Sequence, residues 1–439
     1  MKVLSRSWSA ALVLGASLIA SASLASLAGG AAGATAVPGL PRGAAVPTPT
    51  HAGWLYGVYC VSNTNCWTVG QSEKTIGAST VLLNQALHWN GSKWSAVPVP
   101  NPGGTAAGDD NSLASIRCPT ATDCWAVGFY QRNKAELNQV LHWNGHHWSQ
   151  VAAPNPAGSV SSTSFVQNVL ISVTCAAPTN CWAVGEYGHS FGPSLVILNE
   201  ALHWNGSKWS NVPVPSPAGS ADGDESALQS VRCTAPGNCW ADGLSGQLST
   251  PNTFSNEMLH WNGSKWVIVH VPSPGGTADK DLSELLGLVC TAAANCWAVG
   301  YYGTFGDPDT FKNEALHWDG HHWSLIPTPQ PDGTGAGAQN ILSDVACAGA
   351  DNCWAVGQYG SVGTNVGFIL NQVLHWNGHH WSLVSSPDPA GLANGDRNEL
   401  IGVRCASKRV CWAVGQAEVA KRNTLNEALR WTGTKWVTG

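Results

Sequence analysis

The chain has 439 residues, with 21 Lys and Arg against 27 Asp and Glu, a net charge of −6 and only 11% charged residues. A protein that holds nucleic acid by neutralising phosphates needs a basic stripe, and none is present, so that class is excluded. With 49 Gly and 25 Pro beside 44% hydrophobic residues and 23 Trp, the profile is turn-rich and all-β rather than disordered.

In chain order, the first segment reads as a targeting signal. Lys2 and Arg6 precede an apolar stretch, Ala10 to Ala28, and small-residue cleavage sites follow at Ala34-Thr35-Ala36 or at Ala20-Ser21-Ala22. The expected division is 1–36 signal peptide, 37–54 N-terminal segment and 55–439 repeat domain. An uncleaved anchor is the rival reading of the same stretch, but its Ser, Gly and Ala content favours cleavage. No cysteine precedes Cys60, which removes a lipoprotein anchor. The mature chain is expected to be secreted, extracellular, monomeric and without a membrane span.

From Leu55 onward the same unit recurs. The 14 cysteines form pairs with five residues between the partners: Cys60/Cys66, Cys118/Cys124, Cys175/Cys181, Cys233/Cys239, Cys290/Cys296, Cys347/Cys353 and Cys405/Cys411. First cysteines are 57 or 58 residues apart. An even count at fixed spacing in an exported chain reads as one disulfide within each repeat, at the mouth of a short hairpin. Zinc fails on ligand count and on the last unit, where Arg430 replaces the His that follows the other pairs. No metal and no cofactor is expected.

Each unit offers four strands. The first is Leu-x-small-Val-x-Cys, as in Leu228 to Cys233; the second is Cys-Trp-Ala-Val-Gly; the third is centred on Leu-His-Trp; the fourth is Trp-Ser-x-Val-Pro. Asn-Gly between the third and fourth, as at Asn90-Gly91, suits the positive φ angles of a tight hairpin. Pro-rich exits such as Pro213-Val-Pro-Ser-Pro217 belong on edge strands. Four antiparallel strands, a blunted outer edge and seven-fold repetition predict an all-β, seven-bladed β-propeller with one disulfide per blade. The last unit stops short of the Val-Pro exit, and Val46-Pro47-Thr48-Pro49 stands alone before the first, so residues 45–50 are expected to complete the last blade.

Cys-Trp-Ala-Val-Gly and His-Trp-Asn-Gly-x-x-Trp resemble the propeller repeats of the Kelch and BNR (Asp-box) type, and especially a Trp-rich family of exported actinobacterial repeat proteins. The resemblance runs from Leu55 to the C-terminus and implies a propeller; no activity is common to that family. Trp89 stands where the Asp-box has its Asp, so sialidase chemistry does not follow from the box.

Residues that repeat in every unit read as packing. Twenty-one of the 23 Trp fill three columns, natural filler between blades. Function is expected where the units differ. The connectors between second and third strands share one face with the blade-to-blade linkers, and that variable face is the binding candidate. Tyr130, Tyr187, Tyr302 and Tyr359 occupy one column there, flat rings suited to sugars. Among symmetry-breaking residues of the first strands, Arg117, Arg232 and Arg404 share a column and Asp344 stands alone in another. These eight are the candidate ligand-binding residues; no catalytic residue is assigned. The reading is a binding or adhesion module for glycan or cell-envelope polymer. A glycoside-processing enzyme, sialidase-like or lyase-like, and a protein–protein platform are the alternatives.

Overall fold

The computed structural model describes residues 52–439 apart from 78, 134, 160–164, 192–193, 249–251, 307, 361–366 and 420–423. The stretch expected to be a targeting segment and the Val46–Pro49 stretch lie outside the described residues. Among those described there are 28 strands and no helix, hence no helix long and apolar enough to cross a membrane.

The strands pair as seven antiparallel meanders in chain order, each blade-like unit built from one sequence repeat. Brief parallel pairings such as Ile197↔Glu225 link some neighbours. The first strands are Gly53–Ser62, Asn111–Thr120, Phe165–Ala177, Asp224–Ala235, Asp281–Ala292, Asn340–Gly349 and Arg397–Ser407. Each packs on the next, and Arg397–Ser407 packs on Gly53–Ser62, so the sheets close a ring around an axis lined by first strands. That is a β-propeller.

The first strand carries a bulge that its sequence demands. Leu228 and Val231 both face the core between blades, yet three residues apart they would lie on opposite faces of a regular strand. An extra residue, Gln229, sits in the register shift between Leu228 and Ser230 and restores the alternation. The same shift recurs from Tyr56 in the first blade to Ile401 in the last, and it turns one side chain per blade toward the axis.

Two expectations need correction here. The second strand does not end at its Gly: in the third blade, pairing continues from Gly185↔Glu200 to Phe191↔Ser194. The stretch expected to be a loose connector, Glu186 to Leu198, therefore supplies both arms of a long hairpin, Glu186 to Phe191 and Ser194 to Leu198. The Asn-Gly turn also differs in mechanism. Only the glycine takes a positive φ, 97° at Gly91, while Asn90 Oδ1 accepts from the Ser92 and Lys93 amides at 3.0 and 3.1 Å. This explains why Thr432 can replace Asn in the last turn, where its Oγ1 accepts from Lys435 N at 3.3 Å.

Tryptophan joins the blades. Trp182, 1% exposed, meets Trp261 and Trp266 of the next blade at 4.7 and 5.2 Å between ring centroids, and stacks on His203 of its own blade at 4.6 Å. Every junction repeats this, including the one from last blade to first, where Trp412 meets Trp89 and Trp94 at 4.9 and 5.0 Å. The repeated His is half-buried, and in four blades its ring bonds the residue before the second Cys, as His260 Nε2 does with Asn238 Oδ1 at 2.8 Å.

A second device acts at the same junctions. In six blades an Asn of the third strand donates from Nδ2 to the carbonyl of the Pro sixteen residues on, as Asn256 does to Pro272 at 2.8 Å. The same Nδ2 donates across the junction to the next blade's Glu: Asn256 to Glu314 Oε1 at 2.7 Å, with Asn138–Glu200, Asn199–Glu257 and Asn371–Glu427 alike. Asn426 closes the circle by donating to Gln85 Oε1 at 2.8 Å. Burial pushes these four glutamates well above the usual carboxylate range, so each latch holds a neutral carboxyl.

All seven cysteine pairs are disulfide-bonded and no described cysteine is free, with Cα separations of 3.9 to 4.0 Å across the first hairpin. The pairing and its place at the mouth of the first hairpin agree with the spacing, and burial gives the bridges a second role. The second partner of every pair (Cys66, Cys124, Cys181, Cys239, Cys296, Cys353 and Cys411) is fully buried, with 0% of its surface exposed. Each sits in the cluster that also holds the preceding blade's second-strand Trp: Cys66 with Trp412, Cys124 with Trp67, Cys181 with Trp125 and Cys239 with Trp182. Cys296 with Trp240, Cys353 with Trp297 and Cys411 with Trp354 follow the same plan. The reason is strand alternation. A Cys that opens the second strand points to the same face as the Ala two residues on, the face that packs on the preceding blade. These sulfurs are therefore core filler as well as staples, and none of them can touch a ligand.

Each bridge closes a loop worth about 2 kcal/mol in the chain-entropy model. The intact mass of purified protein should accordingly fall fourteen hydrogens below that of the fully reduced chain. A smaller deficit would show unpaired thiols.

Candidate functional site

First strands converge so closely that small residues are required where they touch: a Cβ on Gly57 would lie 2.9 Å from the Ser115 Cα, and one on Gly287 2.6 Å from the Asp344 Cα. Serine at the same position ties neighbouring strands together. Ser172 Oγ accepts from Val231 N at 3.2 Å, and Ser115 Oγ from Val173 N at 3.4 Å. Asp344 extends that role: Oδ2 accepts from Val403 N of the next blade and Oδ1 from Val345 N, both at 2.8 Å.

Inside the ring lies a cavity of about 1010 Å³, counted with its open mouth and lined by residues of all the first strands. Its wall is apolar at Ile171, Leu286 and Ile401, and polar toward the ends. At the end near the disulfide hairpins stand Tyr59, Arg117, Arg232 and Arg404. The Arg117 and Arg404 guanidinium carbons lie 4.6 and 4.7 Å from the Tyr59 ring centroid. Arg232 Nη1 donates to Val231 O at 2.8 Å and to Ser172 Oγ at 3.4 Å. Burial first, then the like charges of Arg404 and Arg232, push the Arg117 guanidinium down to about 9. Burial also lowers Arg232, opposed by Asp344 and Asp242. Asp242 is fully buried opposite Ser230 in the sheet, and burial holds its carboxyl well above the usual range against the pull of Arg232. Burial likewise raises Asp344.

Elsewhere the blades bury a set of mutually interacting carboxyls. Glu284 accepts from Tyr301 Oη at 2.6 Å, and burial pushes it up to about 7. Burial and then the Glu284 charge push Glu225 up to about 8. Glu186, which accepts from Gln167 Nε2, is raised further by burial and by Glu225, Glu136 and Glu284.

Of the eight residues singled out from sequence, Arg117, Arg232, Arg404 and Asp344 come together although their blades are not all neighbours, because first strands face a shared axis. The four tyrosines do not meet. Each is half-buried at the far end of its own second strand: Tyr130 and Tyr187 pack on one cluster with Leu137 and Val166, and Tyr302 lies under Lys312 at 5.7 Å. Tyr59, at the centre of the arginines, escapes a sequence-only reading. Its place in the arginine column, one residue before Cys60, is the available signal. The linker acids are turn-formers, as where Asp224 Oδ2 accepts from Ala221 N at 2.7 Å and Asp281 Oδ2 from Ala278 N at 2.8 Å.

No protein-family model matches the chain, and no curated protein matches it. Among solved structures it is similar to the GH74 xyloglucanase from Xanthomonas campestris, with a TM-score of 0.51 and 12% identity over 90% of this chain and 55% of that one. The chain thus spans about half the length of that enzyme. It is also similar to the β-propeller domain of the Trilobed protease from Pyrococcus furiosus (TM-score 0.45, 9% identity, 88% and 97% covered). A third is the Aleuria aurantia lectin in complex with Fucα1-6GlcNAc (TM-score 0.39, 14% identity, 74% and 93% covered). At these identities the likeness is one of fold.

Proposed function

We propose that the chain is a secreted, seven-bladed propeller of the Trp-rich repeat type that binds glycan or cell-envelope polymer on its hairpin-bearing face. The observation that carries this reading is the column of half-buried tyrosines, Tyr130, Tyr187, Tyr302 and Tyr359, spaced around a rigid ring with part of each side chain left to solvent. Aromatic faces at fixed intervals suit successive sugar rings. Weak sites repeated on one scaffold gain avidity against a polymer. Pull-down on purified cell wall and a polysaccharide array test it: the Tyr187→Ala/Tyr302→Ala double variant should lose at least tenfold in retention while melting near the parent. Retention equal to the parent's would end this reading.

A second reading has its own support. Arg232 has the carboxyls of Asp344 and Asp242 in electrostatic reach at the axial cavity wall, a pairing of buried acid and cation that a glycoside-processing site could use. Turnover of reporter glycosides that Arg232→Ala abolishes would favour it.

A further inference from the structure

Each blade ends in a three-residue fourth strand, and no described strand pairs with its outer side. Such an edge presents unpaired backbone N–H and C=O groups, a template for another chain. Pro98, Pro213 and Pro327, four residues after the Trp that opens the strand, blunt it in the first, third and fifth blades. The fourth blade, whose last strand is Trp266–Ile268, has His270 at that place. Its Trp266 is followed by Val267-Ile268-Val269, and no other blade follows this Trp with three β-branched residues. Ile268 is 47% exposed, in a column where the second and third blades carry Gln150 and Asn211.

Backbone pairing decides which groups on this edge are free. Asn262 N donates to Lys265 O at 3.3 Å and Val269 N to Met258 O at 2.9 Å, with Val267 paired to His260 between them. Lys265, Val267 and Val269 therefore turn their backbone groups inward, and alternation turns those of Trp266, Ile268 and His270 outward. We propose that this edge pairs antiparallel with the same edge of a second copy of the chain, giving a two-fold dimer. Register and charge argue for that occupant. Centred on Ile268, the two-fold sets Ile268 opposite itself, Val267 opposite Val269 and Trp266 opposite His270, so every outward N–H meets an outward C=O. Lys265, the charged residue beside this run, then faces Val271 rather than its own counterpart. Antiparallel pairing also inverts one ring relative to the other, so the two tyrosine-bearing faces point in opposite directions. That last consequence rests on the polymer reading: the dimer would cross-link two polymer strands instead of gripping one twice.

Sedimentation equilibrium of the purified protein is the test, and it needs no polymer, so its failure is distinct from failure of that reading. A single edge buries less than the roughly 1,600 Å² of a standard interface, so the dimer should be reversible. Weight-average mass should climb from one chain toward two between about 1 and about 500 µM. His270→Pro should weaken association at least tenfold while melting near the parent, because three other blades already carry Pro there. Should it fail to fold, Ile268→Lys sets like charges face to face at the two-fold and should do the same. Amide exchange in residues 266–270 should slow as the parent is concentrated. A parent that stays a single chain at about 500 µM overturns the proposal and leaves the edge to a foreign extended segment. A dimer that the variants retain, or one that slows exchange elsewhere and not at 266–270, overturns it as well. Tyr187→Ala/Tyr302→Ala should dimerise as the parent does.

Discussion

Raising the pH from about 6 to about 9 is expected to lower the melting temperature of this propeller steadily, by an amount reflecting several kcal/mol. The cause is the number of carboxyls that the ring holds in neutral form. Glu225 is pushed up to about 8 and Glu284 to about 7, and burial raises Glu186, Glu200, Glu257, Glu314 and Glu427 further. Each folded-state value lies above the value of 4.5 for the free side chain. Above that value the unfolded chain releases a proton that the folded chain keeps. The contribution is therefore full below pH 4.5 and is lost as pH climbs through the folded value, near 7 for Glu284 and near 8 for Glu225. At roughly 1.4 kcal/mol per unit of displacement, Glu225 alone accounts for a few kcal/mol. The half-buried histidines oppose this on the acid side: burial lowers His88, His203, His260, His317 and His375, so they destabilise the fold as pH falls below the 6.5 of free histidine. The two trends oppose each other only below pH 6.5, so above that value the carboxyls alone set the slope. Calorimetric scans at constant ionic strength measure it, and a melting temperature that rises between pH 6 and 9 would refute the neutral-carboxyl account. Glu257→Gln sharpens the test. It should leave stability near the parent's below pH 4.5 and raise it progressively above, most at pH 9, because Gln85, Gln139 and Gln372 already occupy the same column in other blades. An ionised latch would not tolerate that exchange.

The same column shows what the sequence displays and what it hides. Period-two alternation, Asn-Gly turns and paired cysteines are legible because each is a local signal: Cys175 faces Cys181 whichever blade lies next door. That Cys181 and its equivalents are buried under a neighbour's Trp is not local, and the spacing is silent on it. The Asn–Glu latch repeats as plainly, yet its meaning is also non-local. Asn199 bonds Glu257, 58 residues away, and nothing in the pattern says which neighbour a buried amide will meet. The bulge falls between these cases. Leu and Val three residues apart in a strand contradict simple alternation, and the contradiction can be read as an inserted residue. At the axis, sequence identifies Arg117, Arg232 and Arg404 as one column but not as one site, since linear separation conceals that first strands point to a common centre. Tyr59 carries that lesson furthest. It is one tyrosine among seven until the ring places it between two guanidinium groups.

Closure of the ring predicts that loss of Trp412 opens the structure differently from loss of its six equivalents. Both ends of the ring meet at this junction. Among the described residues the first and last blades are each a four-stranded sheet from one repeat, so no strand is shared across the seam. What holds them is Trp412, fully buried against Trp89 and Trp94, with Arg430 lying 5.7 Å over Trp89 and 5.9 Å over Trp412 in place of the usual His. A short bridge between Ala52 and Leu425, the Asn426–Gln85 bond, and a 3.0 Å bond from Ser407 to Asn63 complete the seam. Truncating a buried Trp costs about 3–5 kcal/mol wherever it sits, so Trp182→Ala and Trp412→Ala should destabilise alike in a global melt. They should differ in what opens. At Trp182 the neighbouring blades stay tethered by the continuous chain on both sides of the gap. At Trp412 the gap is the seam itself, and loss of its packing should let the first and last blades fray below the global transition. Hydrogen exchange is the measurement: Trp412→Ala should speed exchange in residues 53–62 and 397–407 together, at denaturant concentrations where the middle blades stay protected. Equal and uniform acceleration in both variants would mean that closure is no weaker than any other junction.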